Sequence, residues 1–227
     1  MLVLLMQSHA QNPAQGDADQ TYFAIFNLPR KLSIDTAALE RDFYKLSRQL
    51  HPDLYARKSA EEQSWSLRQS SLLNDAYRTL KDPVARTAYL LKLEGMRIED
   101  ENAETRDPKT KQNRVPADLL EEVFELNMQL EEMRSNLNMG EDDQTLRSDL
   151  ERAQAQFKVM LASVDEDLRR AWAAWDAALD VNDTGAKDKQ KEAMVAILDR
   201  RSYLRNLLRE VDAVLSREAA GVAKVNT

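Results

Sequence analysis

Residues 39–53 read LERDFYKLSRQLHPD. Leu39, Phe43, Leu46 and Leu50 recur at intervals of four, three and four, which places them on one face of a helix. Arg41, Lys45 and Arg48 fall largely on another face. Pro52 biases His51 toward extended backbone, so the helix is expected to stop at about Leu50. From about Ser59 to Leu80 a second long helix is expected, with Trp65, Leu72, Leu73, Ala76 and Leu80 as its buried stripe. Two helices joined by so short a loop pack antiparallel, which puts His51-Pro52-Asp53 at the tip of a helical hairpin.

Working outward, Tyr22-Phe23-Ala24-Ile25-Phe26 is a short apolar segment, Asn27-Leu28-Pro29 makes a turn, and Ser33 or Asp35 can cap the hairpin's first helix. Residues 7–20, QSHAQNPAQGDADQ, are polar, so 1–20 reads as a disordered lead-in. Met1 to Met6 is too short an apolar run for a secretory signal, and no Lys or Arg precedes Arg30, as either a signal or a mitochondrial presequence would require. The cytoplasm is the expected location. Downstream, Asp82 caps and Pro83 opens a helix carrying Val84, Ala88, Leu91 and Leu93, which Gly95 ends. The first domain therefore spans 21–95.

Residues 96–115 are charged and show no apolar period, so they read as a linker. Helical spacing resumes at Pro116 with Leu120, Val123, Phe124, Leu126, Leu130 and Met133 and runs to Gly140. A long helix from about Asp142 to Val181 carries a stripe that includes Leu150, Phe157, Val164, Trp172 and Trp175, and both tryptophans read as bundle core. Gly185 is expected to break it, and a third helix runs from about Lys187 to Leu215. The fold class is all-α: an N-terminal helical hairpin domain joined to an up-down three-helix bundle over 116–220.

Composition agrees and narrows the function. The chain has 227 residues, 43% of them apolar and 31% charged, with only five glycines, the mark of long amphipathic helices. A net charge of -7 argues against general binding to nucleic acid or anionic lipid. There is no cysteine, and His9 and His51 stand far apart, so no metal site is expected. No glycine-rich phosphate loop occurs, no run of 18 apolar residues suggests a membrane span, and no arrangement of nucleophile and base suggests an enzyme. No cofactor is expected.

The hairpin, its basic first helix, the His-Pro-Asp tip and Leu72-Leu73-Asn74-Asp75-Ala76-Tyr77 on the second helix resemble the J-domain. The Gly/Phe-rich linker and cysteine zinc domain of general J-proteins are absent. Tyr22-Phe23 with Phe26-Leu28-Pro29, Arg48-Gln49-Leu50-His51-Pro52-Asp53, Leu80-Lys81-Asp82-Pro83 with Arg86, and Ala88-Tyr89-Leu90-Leu91 resemble the HscB family more narrowly. With the helix from Leu119 to Glu132, the likeness covers 20–135 and the last helix.

The resemblance implies a non-enzymatic co-chaperone of iron-sulfur cluster assembly. His51, Pro52 and Asp53 would meet the ATPase domain and linker of a DnaK-type (HscA-like) chaperone, with Arg41, Lys45 and Arg48 against an acidic or polar surface beside them. The bundle would grip the iron-sulfur scaffold protein (IscU-like) through Leu120, Phe124, Met128 and Tyr203, with Glu125 and Glu132 as acidic partners. Leu120, Phe124 and Met128 share a helical face by their spacing. Met128 stands where an acidic residue is common in the family, and Glu121 where an apolar one is common. Bundle core is the competing assignment for each patch residue, and an adaptor for a different client is the alternative function.

Overall fold

In the computed structural model, residues 21–96, 117–139 and 143–225 are described, side chains to 216. The expected lead-in at 1–20, the expected linker beyond Met96, and Gly140 lie outside them. The sequence predicts an all-α chain, and no strand occurs among the described residues. The chain divides into two compact units, one made of 1–98 with 172–188, the other of 99–171 with 189–227.

The first unit opens with the short helix α1 (Tyr22–Ile25), capped by the Thr21 side chain. Asn27 takes a positive φ of 51° in the turn that follows. Asp35, rather than Ser33, caps α2 (Thr36–Leu50) by accepting from the amides of Ala37 and Ala38. It buries Leu39, Leu46 and Leu50 and packs against α4 (Ala60–Lys81), which buries Leu73, Ala76 and Leu80, in the expected helical hairpin. Full burial of each leucine contributes roughly 1.5–3 kcal/mol. Ser59 and Glu62 close a capping box at the start of α4.

Three side chains depart from the expected stripes, the first being Leu72, which is only partly buried. Trp65 is only partly buried and meets the ring of Tyr55, with centroids 5.7 Å apart, while Ser66 takes the fully buried position beside it. Phe43 is also partly buried and stacks on Tyr77 at 4.1 Å. Asp82 caps α5 (Pro83–Leu93), whose C-terminus is closed by Gly95 at φ 79°. The amides of Gly95 and Met96 return to the carbonyls of Lys92 and Leu91, a pairing that needs the left-handed backbone glycine adopts freely.

In the second unit a 3-10 turn (Ala117–Leu119) leads into α6 (Leu120–Met139), followed by α7 (Gln144–Asp180) and α8 (Thr184–Val225). Val123, Leu126, Leu130 and Met133 of α6 share one core with Leu150 and Phe157 of α7 and Leu204 and Val211 of α8. Gln154 bonds Asp212 and Asp165 bonds Arg201, a reversed register that makes α7 and α8 antiparallel. Arg200 pairs with Asp118 and holds its carboxyl below the usual carboxylate range.

The turn between α7 and α8 corrects two expectations. Asn182, at φ 52°, and Asp183 make it, and Asp183 accepts from the amide of Ala186, so Gly185 lies inside the first turn of α8. The bundle expected over 116–220 also gives up this hairpin tip, 172–188, to the first unit. Trp175, 1% exposed, donates from Nε1 to the Arg30 carbonyl at 3.1 Å, and Trp172 donates to the Thr87 hydroxyl at 2.8 Å. Helical spacing correctly puts both tryptophans on a covered face. It carries no information about which partner covers that face.

Candidate functional site

The tip of the α2–α4 hairpin is built from backbone chemistry. α2 ends at Leu50 because His51, at φ −58° and ψ 129°, has already left the helical region, as a residue before proline tends to. Pro52 then takes the first position of α3 (Pro52–Tyr55), where its missing N–H costs nothing. His51 caps this short helix: its Nδ1 accepts from the amide of Asp53 at 3.3 Å, and its carbonyl accepts from the amide of Leu54 at 3.0 Å. The Asp53 carboxylate lies 3.5 Å from Nδ1 and stays 89% exposed, while the His51 ring is 55% exposed. An imidazole and a carboxylate thus stand in solvent on a ring-locked turn.

Two serines of α4 fix the base of this turn. Ser66 and Ser70 both donate to the Leu50 carbonyl, at 2.7 and 2.9 Å, satisfying an acceptor that the end of α2 leaves without an intrahelical partner. No sequence signal singled them out, since serines in a long helix usually face water.

Arg41, Lys45 and Arg48 are exposed on α2 and line a shallow groove with Tyr44 and Gln49. Among the described residues no ion pair neutralises any of the three, so their charge is available to an acidic surface. Tyr44 is half exposed in the same groove, and Leu54 and Leu67 are exposed on α3 and α4, the two helices that pack beside the tip. Sequence spacing had not marked these three apolar side chains. Farther along the hairpin, Glu40 accepts from the Tyr77 hydroxyl at 2.9 Å and from Lys81 at 3.3 Å. Those two donors hold its carboxyl below the usual carboxylate range.

A second surface lies on α6. Leu120, Phe124 and Met128 are 55%, 68% and 60% exposed, while Val123, Leu126, Leu130 and Met133 face the core. Three large apolar side chains at four-residue spacing therefore form an uncovered stripe, with Glu121, Glu125 and Glu132 also exposed along the helix. The bundle-core assignment fails for all three apolar residues. Tyr203 departs in the other direction: it packs partly against the core of its own unit, and burial raises its hydroxyl pKa above the ordinary value. No group of three or more His, Cys, Asp or Glu side chains suited to a metal ion occurs among the described residues. No described helix is long and apolar enough to cross a membrane.

Residues 21–89 match the family model of the DnaJ domain. The chain is similar in structure to the crystal structure of the human co-chaperone protein HscB, with a TM-score of 0.57 and 25% identity over 87% of this chain and 83% of that one. It is also similar to the chaperone HscB from Vibrio cholerae, with a TM-score of 0.58 and 24% identity over 87% of this chain and 99% of that one. The matched segment contains the whole α2–α4 hairpin with His51-Pro52-Asp53 at its tip, and the likeness in fold extends through the helices beyond it. Residues 21–89 are thus a DnaJ domain, carried by a chain that resembles HscB in fold.

Proposed function

We propose that this protein is a co-chaperone that activates ATP hydrolysis by a DnaK-type chaperone and delivers to it the scaffold protein on which iron-sulfur clusters are assembled. The J-domain supports the first half. His51, Pro52 and Asp53 offer hydrogen-bonding groups and one charge from a pre-formed turn, and Arg41, Lys45 and Arg48 add a cationic flank that steers an acidic partner. The ATP chemistry belongs to the partner.

The observation that carries the second half is the uncovered stripe of Leu120, Phe124 and Met128. A helix of a closed bundle has no structural need for three exposed large side chains in register, and such a patch rimmed by carboxylates suits a protein partner. Glu125 and Glu132 would supply polar contacts at its edge, and the half-buried Tyr203 would add an aromatic contact. Holding the client on α6 while the J-domain engages the chaperone raises the client's local concentration at the ATPase without any new contact.

Titration of the purified iron-sulfur scaffold protein into the full chain, followed by calorimetry, tests the client assignment. Saturable binding that Leu120→Ser with Phe124→Ser abolishes supports it. Absence of binding to the wild type leaves the J-domain function standing and makes the protein an adaptor for another client.

A further inference from the structure

Among the described residues of the DnaJ domain, three large apolar side chains stand exposed: Tyr44, Leu54 and Leu67, at 54%, 62% and 59%. Single exposed apolar residues are common on any protein surface and by themselves carry no meaning. These three are not scattered. Tyr44 lies on α2 between Arg41 and Arg48, its neighbours at i−3 and i+4, and lines the cationic groove with them. Leu54 lies on α3, where its amide donates to the His51 carbonyl at 3.0 Å. Leu67 follows Ser66, whose hydroxyl holds the Leu50 carbonyl at the base of the tip. The exposed apolar surface of the domain is therefore gathered at the His51-Pro52-Asp53 end of the hairpin, while α1, α5 and the second half of α4 keep their large apolar side chains at least partly covered.

Folding also fixes where Leu54 and Leu67 stand. The ring of Tyr55, next to Leu54, meets the ring of Trp65, which stands just before Ser66 and Leu67. Gln63 donates from Nε2 to the carbonyls of Ala56 and Lys58 at 3.3 and 3.0 Å, which ties the loop between α3 and α4. A partner that covers these leucines has no loop to order first, so little of the contact energy is lost to conformational entropy.

The cations and the apolar side chains differ in what they can do. Unpaired Arg41, Lys45 and Arg48 act at a distance, are screened by salt and speed encounter with an acidic surface. Tyr44, Leu54 and Leu67 act only on contact, are indifferent to salt and govern how fast a complex comes apart. Protein interfaces combine the two in this way, with apolar side chains in the desolvated centre and charges around them.

We propose that Tyr44, Leu54 and Leu67 set the residence time of the DnaK-type chaperone on this hairpin, and that the chaperone surface they meet is an apolar patch set in an acidic face. This rests on the reading of the hairpin as a chaperone activator and adds to it a division of labour: the cationic groove governs arrival, the apolar trio governs departure, and His51-Pro52-Asp53 governs activation.

Association and dissociation of the full chain with the ATP-bound DnaK-type chaperone, measured at low and physiological salt beside a titration of ATP turnover, test the division. Leu54→Ser with Leu67→Ser should speed dissociation and raise the concentration for half-maximal activation, each by about tenfold or more, with the plateau of activation, the association rate and its salt dependence as in the wild type. Leu54→Met with Leu67→Met should behave as the wild type, because apolar contact is kept. Arg41→Gln with Lys45→Gln should do the reverse of the serine pair, slowing association and flattening its salt dependence. Activation by the wild type together with an unchanged dissociation rate in the serine pair overturns the proposal alone. So does a lowered plateau at an unchanged half-maximal concentration, or a methionine pair as weak as the serine pair. A wild type that neither binds nor activates the chaperone overturns the reading of the hairpin, and this proposal with it.

Discussion

The Leu50 carbonyl accepts from both Ser66 and Ser70, and this double anchor decides where His51 begins. Ser66 is fully buried, so its hydroxyl is committed to that bond. Ser66→Ala should lower stability by about 1 kcal/mol, since Ser70 still serves the carbonyl, and urea unfolding followed by circular dichroism measures it. Removing both hydroxyls should cost about 1–3 kcal/mol more by orphaning a buried acceptor. The same double variant should reduce chaperone activation at temperatures where the fold is intact, because the turn loses its footing. At this scale the sequence was informative where a residue type constrains backbone, as at Pro52, Asp82 and Gly95. It was silent about the serines, whose role depends on a neighbouring helix end.

At the scale of an element, α6 separates two faces sharply. Leu126 is buried and Phe124 is exposed two positions away, so their substitutions should behave differently. Leu126→Ala should cost roughly 2–5 kcal/mol through the cavity it leaves. Phe124→Ala should change stability by no more than about 0.5 kcal/mol, as surface substitutions do, while weakening scaffold binding. Thermal unfolding compared with calorimetric titration on the same two variants checks the contrast. Helical periodicity put Leu120, Phe124 and Met128 on one face of α6 but left bundle core as their competing assignment, which their exposure decides. It misassigned the end of α7, where Trp172 and Trp175 continue the apolar stripe into contact with Arg30 and Thr87. A stripe that passes from one partner to another keeps its period. Nothing local to the tryptophans marks the change.

Across the whole molecule, two surfaces of different chemistry stand on separate units: a cationic hairpin with a rigid polar tip, and an apolar stripe edged by carboxylates. If each binds its own protein, client and co-chaperone together should activate the chaperone more than the sum of their separate effects, and Phe124→Ala should remove the synergy while leaving basal activation. Steady-state ATP turnover with and without the scaffold protein measures this. The hairpin and its tip were legible because a tripeptide, a basic face and an apolar face coincide within fifteen residues, 39–53. The discontinuous make-up of the first unit was not, because it depends on pairings between residues more than a hundred positions apart, such as Leu32 and Asp176.

The central claim is that the turn at His51 acts on another protein's ATPase. Single-turnover ATP hydrolysis by the DnaK-type partner, with wild type and with His51→Gln, tests it most directly. The account predicts that the wild type accelerates hydrolysis and that His51→Gln returns it to the unstimulated rate, with helicity and client binding unchanged. Equal acceleration by the two proteins would contradict it.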